Sequence, residues 1–208
     1  MMLSNKKSFI AALTATFLLA ACGTTPPTRF YTLAGPTPAV STASTAGKTG
    51  QTFIEVMPVA VPERLARPQL VLRTDPARVD VLETERWSSP LNSELRDALS
   101  TALSTRLGAV DIARGSRPAD QVSYRIAVDV RDLDAVRNGQ VRADVGWTVT
   151  RSDDRKAAVC RRTVIKPVNG SAISDVVLAM QQMVADVADA VAADVRGLQA
   201  GQAAACRR

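Results

Sequence analysis

Two stretches near the middle of the chain leave the backbone little choice. Val122, Tyr124, Ile126, Val128 and Val130 occupy every second position, as do Val141, Ala143, Val145, Trp147 and Val149, while Arg125, Asp129, Arg131, Arg142 and Asp144 fall on the alternate positions. Strand side chains alternate across a sheet, so the pattern predicts two strands with one face in a core and the other wet or facing a partner. Asn138-Gly139 between them tolerates the positive φ of a tight hairpin turn. A third strand is expected over 157–164, after the turn residues Ser152-Asp153-Asp154.

A sheet with one apolar face needs a cover. Ser89-Pro90 predicts a helix start, Ser89 capping free amides and Pro90 taking the first helical position at no cost in hydrogen bonds. Leu91, Leu95, Ala98, Leu99, Ala102, Leu103 and Leu107 then share one face, and Gly108 ends the pattern. Asn169-Gly170-Ser171 leads into a second helix whose stripe is Ile173, Val177, Met180, Val184, Val187, Val191 and Val195. Upstream, 29–33 (RFYTL) reads as a short strand and 52–61 as a buried strand carrying Pro58 near its end. Residues 69–73 and 78–83 read as paired strands joined at Asp75-Pro76-Ala77.

The first 21 residues have another purpose. Lys6 and Lys7 precede an uncharged run of 13 residues, Phe9 to Ala21. As a helix it is about 20 Å long, short of the roughly 20 apolar residues needed to span a bilayer. It reads as a secretory signal peptide, 1–21, removed on maturation. Leu19-Ala20-Ala21-Cys22-Gly23 resembles a bacterial lipobox. In that reading Cys22 takes a diacylglycerol thioether and becomes the N-terminus. It is then N-acylated, palmitate being the expected chain. Two or three acyl chains make such an anchor effectively permanent. Gly23 and Thr24 follow Cys22, with no Asp at the next position to signal retention at the inner membrane, so the periplasmic leaflet of the outer membrane is the expected location. Residues 22–28 form an extended, lipidated tether containing Pro26 and Pro27, and 29–208 form a single domain with a flexible Gly-Pro-Ser-Thr-Ala loop at 35–50.

The 187 remaining residues suffice for one core, with net charge reduced from +6 to +4. The 21 Arg and 5 Lys are scattered without a basic block, which argues against nucleic acid as a partner. The chain has no histidine, removing the commonest general base and neutral metal ligand. No metal, cofactor or catalytic residue is assigned. Thr45 and Lys48 give a T-x-x-K spacing, but within low-complexity sequence that fixes no geometry. Asp153-Asp154 reads as a turn pair rather than an acid-base pair.

With Cys22 assigned to lipid, Cys160 and Cys206 are the remaining thiols in an oxidising compartment. Two readings stand: a Cys160–Cys206 disulfide pinning the C-terminal tail to the sheet, or a free buried Cys160 with an unpaired Cys206.

The lipobox, the RFYTL strand at 29–33, VPERLARPQLVLR at 61–73, ERWSSPL at 85–91 and the terminal valine-alanine helix together resemble the PqiC (YmbA-like) family of transport auxiliary lipoproteins. The resemblance implies an α+β sandwich similar to the amino-terminal domain of TolB: a mixed, largely antiparallel sheet with two long helices packed on it. It also implies an accessory subunit without catalytic activity. Such a subunit serves an ABC-type system moving lipid between membranes and docks the periplasmic end of a mammalian-cell-entry (MCE) protein at the outer membrane. Arg29, Phe30, Tyr31 and Trp87 fall at family-like positions but serve equally well in packing strand on helix, so none is assigned to binding. Activation of a cell-wall synthase, or envelope hydrolysis by a carboxylate pair, are the rival functions, and a homo-oligomer is left open.

Overall fold

Asn138 takes φ 51° and Gly139 follows it, turning the chain between β6 (Ser123–Ala135) and β7 (Gln140–Arg151). The chain is seen here in a computed structural model describing residues 26–35, 51–115, 121–202 and 206. The apolar positions meet across the hairpin: Ile126 opposite Val149, Val128 opposite Trp147 and Val130 opposite Val145. Past Val130 the register shifts by one residue. This bulge absorbs Arg131 and returns Leu133 and Ala135 to the buried face, carrying the strand beyond the alternation visible in the sequence.

Around this hairpin lies a five-stranded mixed sheet in the order β5-β2-β6-β7-β8, with β2 at Thr52–Val56, β5 at Ala109–Asp111 and β8 at Ala157–Pro167. β2 runs parallel to both β5 and β6, and the rest is antiparallel. A smaller sheet, β1-β4-β3, contains β1 (Arg29–Tyr31), β3 (Gln69–Arg73) and β4 (Val79–Trp87). Arg73 donates to Asp134 at 2.9 Å, and Arg64, in a one-turn 3-10 helix at Glu63–Leu65, pairs with Asp132, tying the two sheets together.

Two helices, α1 (Leu91–Leu107) and α2 (Ile173–Gln199), cover the apolar face of the larger sheet. Leu91, Leu95, Leu99 and Leu103 are buried along α1, and Val176, Met183, Val187, Val191 and Val195 along α2. Gly108, at φ 58°, ends α1 in the left-handed conformation its sequence position demands. Arg106 joins the helices, donating to Asp189 at 2.6 and 3.2 Å. Gly170 enters α2 at φ 146°, and the Asp175 carboxylate, which accepts the Ala172 N–H at 3.0 Å, would lie 2.1 Å from any Cβ there. The expected α+β class with two long helices holds, its strands divided between two sheets.

Several expected boundaries shift for physical reasons. The strand expected over 52–61 stops at Val56, because Pro58 has no N–H to give, and resumes only as a single bridge between Ala60 and Asp129. β4 continues past Glu83 to Trp87, because β1 pairs with its last three residues. β8 runs on from Val164 to Pro167 opposite Val141 and Gln140. Ser89 does not cap α1: Pro90 holds the capping position with no side-chain bond, and the amides of Ser93 and Glu94 turn to the Pro90 carbonyl at 2.8 and 3.0 Å.

Candidate docking surface

Cys22, Thr45 and Lys48 lie outside the described residues. Residues 26–28 lead into the fold at β1, the edge strand of the smaller sheet. Arg29, Phe30 and Tyr31 lie opposite Glu85, Arg86 and Trp87. The four family-like positions separate by environment. Trp87 is buried in the core and Tyr31 is half-buried, its hydroxyl donating to Glu85 at 2.6 Å. Burial, with the Glu85 carboxylate beside it, pushes the Tyr31 phenol up. Arg29 reaches Glu85 at 3.3 Å from a side chain that is 68% exposed. Phe30 is 66% exposed and packs on nothing beneath it in the core.

Just past β1 the chain meets a buried carboxylate. Glu94, on the first turn of α1 and 5% exposed, accepts from the Thr32 hydroxyl at 2.7 Å and the Leu33 N–H at 2.8 Å through one oxygen. Its other oxygen accepts from the hydroxyls of Ser88 and Ser89 at 2.7 Å each, and from the Ser89 N–H at 3.1 Å. Burial pushes this carboxyl up, but the donors from Ser88, Leu33, Ser89 and Thr32 outweigh it and hold it below the ordinary glutamate value. Ser89, expected to cap the helix, is thus a donor to Glu94, together with Ser88. The signal for Glu94 was in the sequence: it stands three residues after Leu91 and four before Ala98, within the leucine stripe.

The face of the large sheet turned away from the helices has no cover among the described residues. On β8 it presents Val159 and Ile165, 70% and 51% exposed, on either side of Arg161. Next to them on β7 stand Thr148, Gly146, Asp144 and Arg142, the register partners of Val159, Arg161, Thr163 and Ile165. Asp129 and Arg131 on β6, and Arg125 paired with Glu55 of β2 at 2.9 Å, complete a band of alternating charge. Asp144 is held below the ordinary aspartate value first by its hydrogen bond from Arg161, with the charges of Arg161, Arg131 and Arg142 adding to it, against an upward push from burial that is second only to that hydrogen bond. These carboxylates are committed to arginines. That suits a surface that recognises charge, and leaves no unpaired acid-base couple on it.

β8 is also an edge strand. The structure joins Cys160, whose side chain is buried on the helix side, to Cys206, with Cα atoms 5.5 Å apart, so Cys206 lies against this edge. Asp153 and Asp154 occupy the turn before β8. Asp153 pairs with Arg151 at 2.8 Å and Asp154 with Lys156 at 3.1 Å. No group of three or more acidic, cysteine or histidine side chains fit for a metal occurs among the described residues.

A family model for an ABC-type transport auxiliary lipoprotein component matches residues 31–192. Two proteins named intermembrane transport lipoprotein PqiC, from Escherichia coli strain K12 and from Shigella flexneri, are each 30% identical over 106 residues, 51% of this chain and 55% of theirs. The match therefore spans about half the length of these curated relatives. The crystal structure of an uncharacterized protein superposes with a TM-score of 0.63 at 19% identity, covering 82% of this chain and 99% of that one. A crystal structure of a Xanthomonas campestris protein gives 0.56 at 20% identity, covering 73% and 87%. These two likenesses concern the fold alone.

Proposed function

We propose that this chain, which belongs to the family of ABC-type transport auxiliary lipoprotein components, acts by docking and not by turnover. Acylated Cys22 anchors the domain to the periplasmic leaflet of the outer membrane. The uncovered face of the large sheet receives the periplasmic end of an MCE-type partner and fixes it there, so that lipid passes between the membranes along the partner. The observation that carries this reading is that face itself: Val159 and Ile165 stand exposed within a band of paired Arg and Asp side chains. An apolar pair rimmed by ordered charge suits a protein contact, the apolar groups supplying affinity and the charges register. The family membership and the transport names of the PqiC relatives support the setting.

The anchor raises the local concentration of the docking face at the membrane, so Cys22→Ala is expected to leave the domain folded yet abolish lipid-barrier function. Native protein is expected to co-purify in mild detergent with an MCE-type protein of the same cell. Val159→Asp with Ile165→Asp, both at exposed positions, is expected to lower recovery of the complex at least about tenfold, the equivalent of about 1.4 kcal/mol. Full recovery of the complex with the doubly substituted face, or full barrier function in the Cys22→Ala strain, would overturn the docking model. Association with a cell-wall synthase instead would identify the rival activator function.

A further inference from the structure

We infer that Phe30, with Arg86, forms a second contact with the membrane, seated in the headgroup layer of the leaflet that carries the anchor. Phe30 projects from an edge strand where its neighbour Tyr31 is held inward by Glu85, and its register partner across the sheet is Arg86. Arg29, on the opposite face of the same strand, turns to Glu85. An aromatic ring with a guanidinium beside it fits the boundary between phosphates and acyl chains, the ring entering the apolar side and the cation meeting a phosphate.

Position makes this surface meet lipid. Resting on the reading of Cys22 as the acylated residue, Phe30 stands eight residues from the anchor, a reach of at most about 28 Å fully extended. Pro26 and Pro27 stiffen that span and limit its folding back. Of the acidic groups nearby, Glu85 is turned to the other face of the sheet, where it pairs with Arg29, and Glu83 accepts from Gln69 at 3.1 Å. The docking face on β8 belongs to the other sheet, so membrane contact through β1 and partner contact through β8 use separate surfaces.

The test uses the full-length acylated protein in phosphatidylethanolamine-phosphatidylglycerol vesicles containing lipids brominated on their acyl chains. A Phe30→Trp variant reports depth through indole quenching, against a background from the buried native Trp87 and Trp147. Flotation with the vesicles is scored in the same samples. The expected result is flotation together with a blue-shifted emission quenched at least twofold beyond the native background. Adding Arg86→Gln should reduce the quenching, and a Val159→Trp variant on the opposite sheet should stay at background. Flotation with an unquenched indole at position 30 overturns this inference alone, as does equal quenching at position 159. Absence of flotation removes the anchor reading and this inference with it.

Discussion

Replacing Glu94 by Gln keeps the side chain's size and removes its charge, which isolates what the carboxylate does. In the native protein two oxygens accept from five donors, and the two backbone amides of Leu33 and Ser89 have no freedom to turn elsewhere. The glutamine NH2 must face one of those amides, donor against donor. A hydrogen bond to a charged acceptor is worth about 1.5–3 kcal/mol and a buried donor left unmet costs about 1–3 kcal/mol. A net loss of about 2–3 kcal/mol at neutral pH is therefore expected for Glu94→Gln, and about 3–5 kcal/mol for Glu94→Ala, which also opens a cavity. The sign of the pH dependence follows from the lowered carboxyl. Its stabilisation is fully present above the unfolded value near 4.5 and is lost as pH falls through the lower folded value. Urea unfolding of the domain with Cys22 replaced, followed by tryptophan fluorescence between about pH 7 and pH 3, measures both effects. The gap between native and Glu94→Gln should be widest at neutral pH and close on acidification. A gap below about 0.5 kcal/mol at neutral pH, or one that stays constant down to about pH 3, would refute the assignment of Glu94 as the ionised centre of this junction.

Cys206→Ser should lower stability by up to about 4 kcal/mol by the loop-closure relation for a separation of 46 residues, measured by urea unfolding of oxidised protein. Non-reducing peptide mapping of periplasmic protein should recover the 160–206 pair, and two freely alkylatable thiols in the folded protein would refute it. Gly170→Ala should cost about 1–3 kcal/mol in thermal unfolding, because the backbone there is left-handed and the new methyl group meets the Asp175 carboxylate. An unchanged midpoint would mean that the loop into α2 relaxes freely.

What the sequence made legible was local repetition. The two central strands and their Asn138-Gly139 turn follow from a period of two, and both helices from stripes at spacings of three and four. Elements fixed by distant partners were less visible. β5 is three residues long and exists because β2 lies beside it, with no periodicity of its own. The end of β4 depends on β1, more than 50 residues away, and the phase change at Arg131 on a bulge that only the partner strand reveals. The candidate docking face was legible as a wet alternate face, including Arg125, Asp129, Arg131, Arg142 and Asp144. The exposure of Val159 and Ile165 depends on which face of β8 the helices cover. Asp194 shows the same limit from within the core: it stands among the valines of α2 because the indole N–H of Trp147 donates to it at 2.8 Å, a pairing across 47 residues.

The short strand β1 also fixes how the domain meets mechanical load. It runs parallel to β4 with three residues in register, so a pull along its axis bears on all its rungs together in shear instead of opening them one by one. Directly behind the last rung, the Ser88 amide holds the Tyr31 carbonyl at 2.8 Å and Gln181 of α2 holds the Thr32 carbonyl at 3.1 Å. Tension arriving from residue 26 is thus shared between β4 and a helix of the main core, and is spread through the body of the domain before any single contact yields.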